Sequence, residues 1–110
     1  MEKVNKRVIY EYMLLSGAIN NEIEMMSNDK PYVQYHENLK DTYISLFGKL
    51  KEILGVSIDR SIDQDTISQI SSIQLSAEQR GKIAELRKNP IFVKLMGETA
   101  LSQRQELEMY

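Results

Sequence analysis

The stretch VNKRVIYEYMLLSGAINNEIEMM, residues 4–26, decides the fold. Its apolar side chains fall at Val4, Val8, Tyr12, Leu15, Ile19, Ile23 and Met26. Steps of three and four residues keep that stripe on one face of a helix, since a turn takes about 3.6 residues. Ile9, Met13 and Met25 widen it. A helix of roughly seven turns with so broad an apolar face has more to bury than one neighbour covers, which predicts an internal partner and self-association besides.

The internal partner follows directly. Ser27, Asn28, Asp29, Lys30 and Pro31 interrupt the pattern, because proline has no amide donor and biases the residue before it away from helical angles. Tyr32, Val33, Gln34 and Tyr35 alternate weakly in polarity and read as a short extended segment. A second helix is expected from Glu37 to Leu54, with Leu39, Tyr43, Leu46, Leu50 and Ile53 at the spacing of a coiled-coil seam and Phe47 and Leu54 on its flanks. Gly55 stands where a helix ends in a left-handed residue. Two long helices joined by about ten residues form an antiparallel hairpin. A charge placed at Leu46 or Leu50 is expected to unfold or dissociate it.

Beyond Gly55 the pattern weakens. Serines and aspartates alternate with Ile58, Ile62, Ile67, Ile70 and Ile73, which predicts a loop with one short helix from Thr66 to Ser71. Ser76 and Gln79 form a capping box that opens a helix running to Lys88. Asn89 and Pro90 are a second start signal, for a last helix reaching Leu107. The fold class is therefore all-α: a long antiparallel helical hairpin with two or three shorter C-terminal helices. The expected organisation is a single helical domain over residues 1–110, divided into a hairpin (1–55), a loop with a short helix (56–75) and two C-terminal helices (76–110).

Composition agrees with one globular domain: 110 residues, 42% hydrophobic and 27% charged. A net charge of −2 is not that of a chain wrapped in nucleic acid, so any such contact must be local. There is no cysteine, which removes disulfides, thiolate nucleophiles and sulfur-ligated zinc. Lys3, Lys6 and Arg7 precede a partly apolar run from Val8 to Ile19, but Glu11 interrupts it and no small-residue cleavage motif follows. The apolar runs fall far short of the roughly 20 residues a membrane helix needs. A cytoplasmic protein is expected.

Catalytic motifs are sparse. His36 beside Glu37 has the makings of an oriented general base, yet no nucleophile or substrate pocket is marked near it, and a surface histidine near a helix start is the better reading. One histidine without cysteine makes a poor metal site, and the five glycines are isolated, so no phosphate loop forms. No enzyme activity and no cofactor are expected. Arg80, Lys82, Arg87, Lys88 and Lys94, opposed by Glu85, form a basic stretch and are the candidate nucleic-acid contacts. Helices near Thr66 and after Ser76 are spaced like a helix-turn-helix, although the turn lacks glycine. Replacing Arg87 and Lys88 by alanine is expected to leave the fold intact. Six tyrosines, six methionines and no tryptophan suit a partly wet interface, for which Tyr12, Leu15, Ile19, Ile23, Tyr32 and Tyr35 are the candidate residues.

Tyr12, Ile19, Glu22 and Ile23, then Asn38, Leu39, Phe47 and Leu50, then the closing phrase Leu54, Gly55, Val56, Ser57 and Arg60 together resemble the helical hairpin of one family of phage terminase small subunits. The likeness spans residues 8–60, about half the chain. Little chain precedes the first helix and some 50 residues follow Arg60, which departs from the family. The resemblance implies a homo-oligomeric, ring-forming component of a DNA-packaging motor, with the large terminase subunit and viral DNA as partners and the hairpin carrying the oligomer contacts. Two other expectations stand beside it: a small inhibitor or adaptor that docks on a host or phage protein, and a DNA-binding module using Arg80 to Lys94.

Overall fold

The computed structural model describes residues 5–55 and 63–100, the side chains of 98–100 excepted. Within them all regular secondary structure is helical, with no strand. Helix α1 spans Lys6–Asn28, α2 Val33–Leu54, α3 Gln64–Ser72, α4 Ala77–Leu86 and α5 Pro90–Ala100. Val4, the loop around Ile58 and Ile62, the closing phrase at Val56, Ser57 and Arg60, and the last helix beyond Ala100 lie outside the described residues.

The reversal between α1 and α2 is tighter than its sequence implies. Asp29 leaves helical geometry, and Lys30–Tyr32 then form a 3₁₀ turn with Pro31 near its start. There the missing amide of proline costs nothing and its fixed φ favours the turn. Tyr32 ends that turn, and Val33, Gln34 and Tyr35 belong to the first turn of α2. The extended segment expected at Tyr32–Tyr35 is therefore absent, because proline at the front of a helical turn starts helix as readily as it stops it.

The hairpin is antiparallel. Tyr12 meets Phe47 at 5.2 Å between ring centroids, and Glu22 meets His36 at 2.6 Å. As positions climb along α1 their partners descend along α2, which is the mark of an antiparallel pair in constant register. At the far end of α2, Gly55 adopts φ 71° and its amide donates to the Lys51 carbonyl.

Val8, Tyr12, Leu15 and Ile19 of α1 and Leu46, Phe47, Leu50 and Leu54 of α2 form the centre of the core. Ile70, Ile83, Leu86, Phe92 and Leu95 of the three shorter helices join it. Phe47 and Leu54 are deeper than Tyr43 and Ile53, so the seam lies slightly round the helix from the line of spacing. Helix α4 packs on α2, whereas α3 and α5 pack on α1. That arrangement docks α3 and α4 mainly on different hairpin helices, unlike the paired helices of a helix-turn-helix.

Polar side chains lock these helices by their ends. Ser76 and Gln79 form the expected capping box, and Gln79 Nε2 also donates to the Ile53 carbonyl at 2.9 Å. Asn5 takes a left-handed conformation (φ 59°) and turns its side chain away from α1, donating to the carbonyls of Ile70 and Ile73 at the end of α3. Asn89 caps α5 through its Oδ1. In each case a side chain bonds a carbonyl or amide at a helix terminus, where backbone partners run short.

Candidate functional site

The hairpin divides into two halves of different character. The proximal half lies in the core just described. Between Asn20 and Ser45 the buried residues are two, Glu22 and His36, and neither is apolar. This distal half is held by a polar clasp instead of a greasy interior.

His36 sits on the first turn of α2, 7% exposed. Its Nδ1 lies 2.6 Å from Glu22 Oε1 on α1, and its Nε2 lies 2.9 Å from Asp29 Oδ2 at the C-cap of α1. Tyr35 stacks edge-on over the ring at 5.2 Å. Hydrogen bonding to Asp29 and then to Glu22 raises the His36 pKa above its ordinary value, against the opposing effect of burial. The surface histidine expected from sequence is thus a buried one, and its partners are Glu22 and Asp29, not Glu37. Nothing local signals this, since Glu22 stands 14 positions away and meets His36 only through the hairpin register. With a carboxylate on each ring nitrogen, both nitrogens are engaged within the protein and neither faces an open substrate pocket. The geometry is that of a clasp.

Apolar side chains of the distal half point outward. Ile23 is 43% exposed, Tyr32 62%, Tyr35 59% and Ile44 44%. A groove of about 700 Å³ runs between the helices, with Ile19 and Phe47 at its base and Ile23, Met26 and Ile44 along its sides. Lys40 and Lys51 complete it on the α2 wall, Lys51 resting over the Phe47 ring at 5.9 Å. No carboxylate lines it. Of the six interface candidates, Ile23, Tyr32 and Tyr35 lie on this exposed half. Tyr12, Leu15 and Ile19 are 0% exposed within the monomer's own core. Their place is a correction: one continuous stripe serves two purposes, because the shorter helices cover only its first half.

The five residues of the basic stretch do not form one surface, although Arg80 and Arg87 line a common cleft. Arg87 donates from Nε and Nη2 to both oxygens of the buried Glu11, at 2.8 and 2.9 Å, tying the end of α4 to α1 across 76 positions. Arg80 donates to the Leu75 carbonyl. Lys82 pairs with Glu78 and Lys88 with Glu85 on exposed flanks of α4 and its end. Lys94 is exposed on α5. Arg87 is a structural residue here, which contradicts the expectation that its removal is harmless: cutting the fork leaves the buried carboxylate of Glu11 with only the longer contact, 3.3 Å, to the half-exposed Arg7.

Among the described residues no group of three His, Cys, Asp or Glu side chains is placed to hold a metal ion. No described helix is long and apolar enough to cross a membrane. The chain matches no family model, no curated protein and no solved structure.

Proposed function

We propose that this chain is a non-catalytic binding component that self-associates through the distal half of its hairpin, in the manner of a phage DNA-packaging subunit of the small-terminase kind acting in the cytoplasm. The observation that carries the reading is the division of the hairpin. Ile23, Tyr32, Tyr35 and Ile44 stay exposed on helices that bury no apolar side chain fully at that level. Exposed apolar and aromatic side chains gathered at one end of a hairpin mark a protein contact, since scattered singly they would need no explanation. In a ring each subunit would cover this half of its neighbour, and the large terminase subunit would be the further partner.

A second reading, an inhibitor or adaptor that takes a helix from another protein, is favoured by the groove itself. Its apolar base and its two lysines, of which Lys40 also lies 3.6 Å from the exposed Asp41 outside the groove, fit an amphipathic helix with an acidic edge. The third reading, a DNA contact by Arg80, Lys82, Arg87, Lys88 and Lys94 acting together, draws little support from side chains engaged by separate partners.

Light scattering separates the first two. A self-associating chain gives several times 12.8 kDa, and Ile44→Asp returns it to the monomer mass with helix content unchanged. A wild-type protein that stays at 12.8 kDa at high micromolar concentration ends the ring reading and leaves the adaptor.

A further inference from the structure

At the end of the hairpin remote from its turn, a cleft of about 230 Å³ opens between the first turn of α1 and helix α4. Arg7, Arg80 and Arg87 line it, brought from α1 and from the two ends of α4. Each is oriented by a contact that leaves further N–H groups free. Arg87 forks onto Glu11, Arg7 Nε lies 3.3 Å from Glu11 Oε2, and Arg80 Nη1 bonds the Leu75 carbonyl at 2.6 Å. Glu11, 3% exposed at its side chain, is thus a carboxylate that positions two guanidinium groups.

Three guanidinium charges against one buried carboxylate leave the cleft with an excess of two positive charges. Lys6 also lines it but has a partner of its own and is not counted. The first turn of α1 forms the cleft's other wall, has no acidic residue and receives no side-chain cap from Asn5, whose amide is spent on α3. Its amides and the positive end of the helix dipole add to the arginine field.

We propose that this cleft binds a phosphomonoester dianion. A phosphate carries close to two negative charges at neutral pH and accepts the planar fork of arginine through several oxygens at once. The cleft is concave and lined from two helices, whereas a nucleic-acid backbone needs a stripe of cations. Lys82 and Lys88, which would extend such a stripe, pair with Glu78 and Glu85 and do not line the cleft.

The probe is inorganic phosphate, titrated against the full chain by amide NMR at constant ionic strength, with chloride as the control. Saturable shifts are expected at Lys6, Arg7 and Val8, with affinity at least about tenfold weaker in Arg80→Gln. Arg7→Gln, at a residue whose side chain is 49% exposed, serves if Arg80→Gln fails to fold. A non-saturating response, or equal affinity in the folded variant, overturns the site. So does tighter, steeply salt-dependent binding of an oligonucleotide without terminal phosphate at the same amides, since that assigns the cleft to phosphodiesters. The proposal is independent of the distal face: Ile44→Asp leaves phosphate binding unchanged.

Discussion

His36 shows how much one side chain does in a protein of this size. It closes the hairpin where no apolar side chain is fully buried, and it does so through groups that titrate. Its pKa is higher in the folded state than the 6.5 of the free side chain. The protonated form is therefore the one the fold prefers. The clasp contributes its full stability below about pH 6.5 and loses it as the pH rises through the raised value, as long as both carboxylates stay ionised. Thermal midpoints followed by circular dichroism should fall between pH 6 and pH 9, and His36→Gln should flatten that decline. A wild-type midpoint that rises over the same interval would contradict the arrangement of Glu22, His36 and Asp29. The sequence places His36 near a helix start and no further, because its partners come from α1 and the turn, fixed only by register.

At the scale of the element, helix ends are where sequence and structure agree best. The Ser76–Gln79 capping box, the Asn89–Pro90 start and the Gly55 stop all form as their residues imply, since caps are chemistry between near neighbours. Glycines mark the contrast between local demand and local indifference. Gly55 needs its left-handed φ of 71°, which costs a residue with a Cβ about 1–2 kcal/mol. Gly48 lies within α2, and a Cβ added there meets nothing within 4 Å. We predict that Gly55→Ala destabilises by roughly 1–2 kcal/mol, while Gly48→Ala stabilises by up to about 1 kcal/mol through helix propensity. Denaturant melts of the two variants test this, and equal effects of one sign would refute the C-cap assignment. The 3₁₀ turn at Lys30–Tyr32 is the exception among the ends, because proline signals a stop and a start with the same ring.

Across the whole molecule, long-range polar contacts decide how the shorter helices sit on the hairpin. Arg87 to Glu11, Gln79 to Ile53 and Asn5 to Ile70 each join distant stretches of chain. The Arg87–Glu11 pair has the most at stake, since its carboxylate is nearly inaccessible while Arg87 keeps a side-chain exposure of 26%. Removing Arg87 alone should cost about 2–4 kcal/mol, some of it recovered when Glu11 is also neutralised. A double-mutant cycle of Arg87→Ala with Glu11→Gln measures the coupling, and a value near zero would mean the fork does not hold α4 in place. The elongated outline, 49 × 30 × 25 Å, reflects the same division of labour: shorter helices and core at one end, a polar-clasped hairpin turn at the other.

The sequence alone determined that the chain is helical, where most helices begin and end, and that its first two form an antiparallel pair. Those are consequences of periodicity and capping, which act over one or two turns. Only the tertiary structure decided which half of the α1 stripe is core and which is surface, that a lone histidine is a buried clasp, and that the basic stretch is split among separate partners. Burial and ion pairing depend on which elements meet, and residues tens of positions apart leave no periodic trace of meeting.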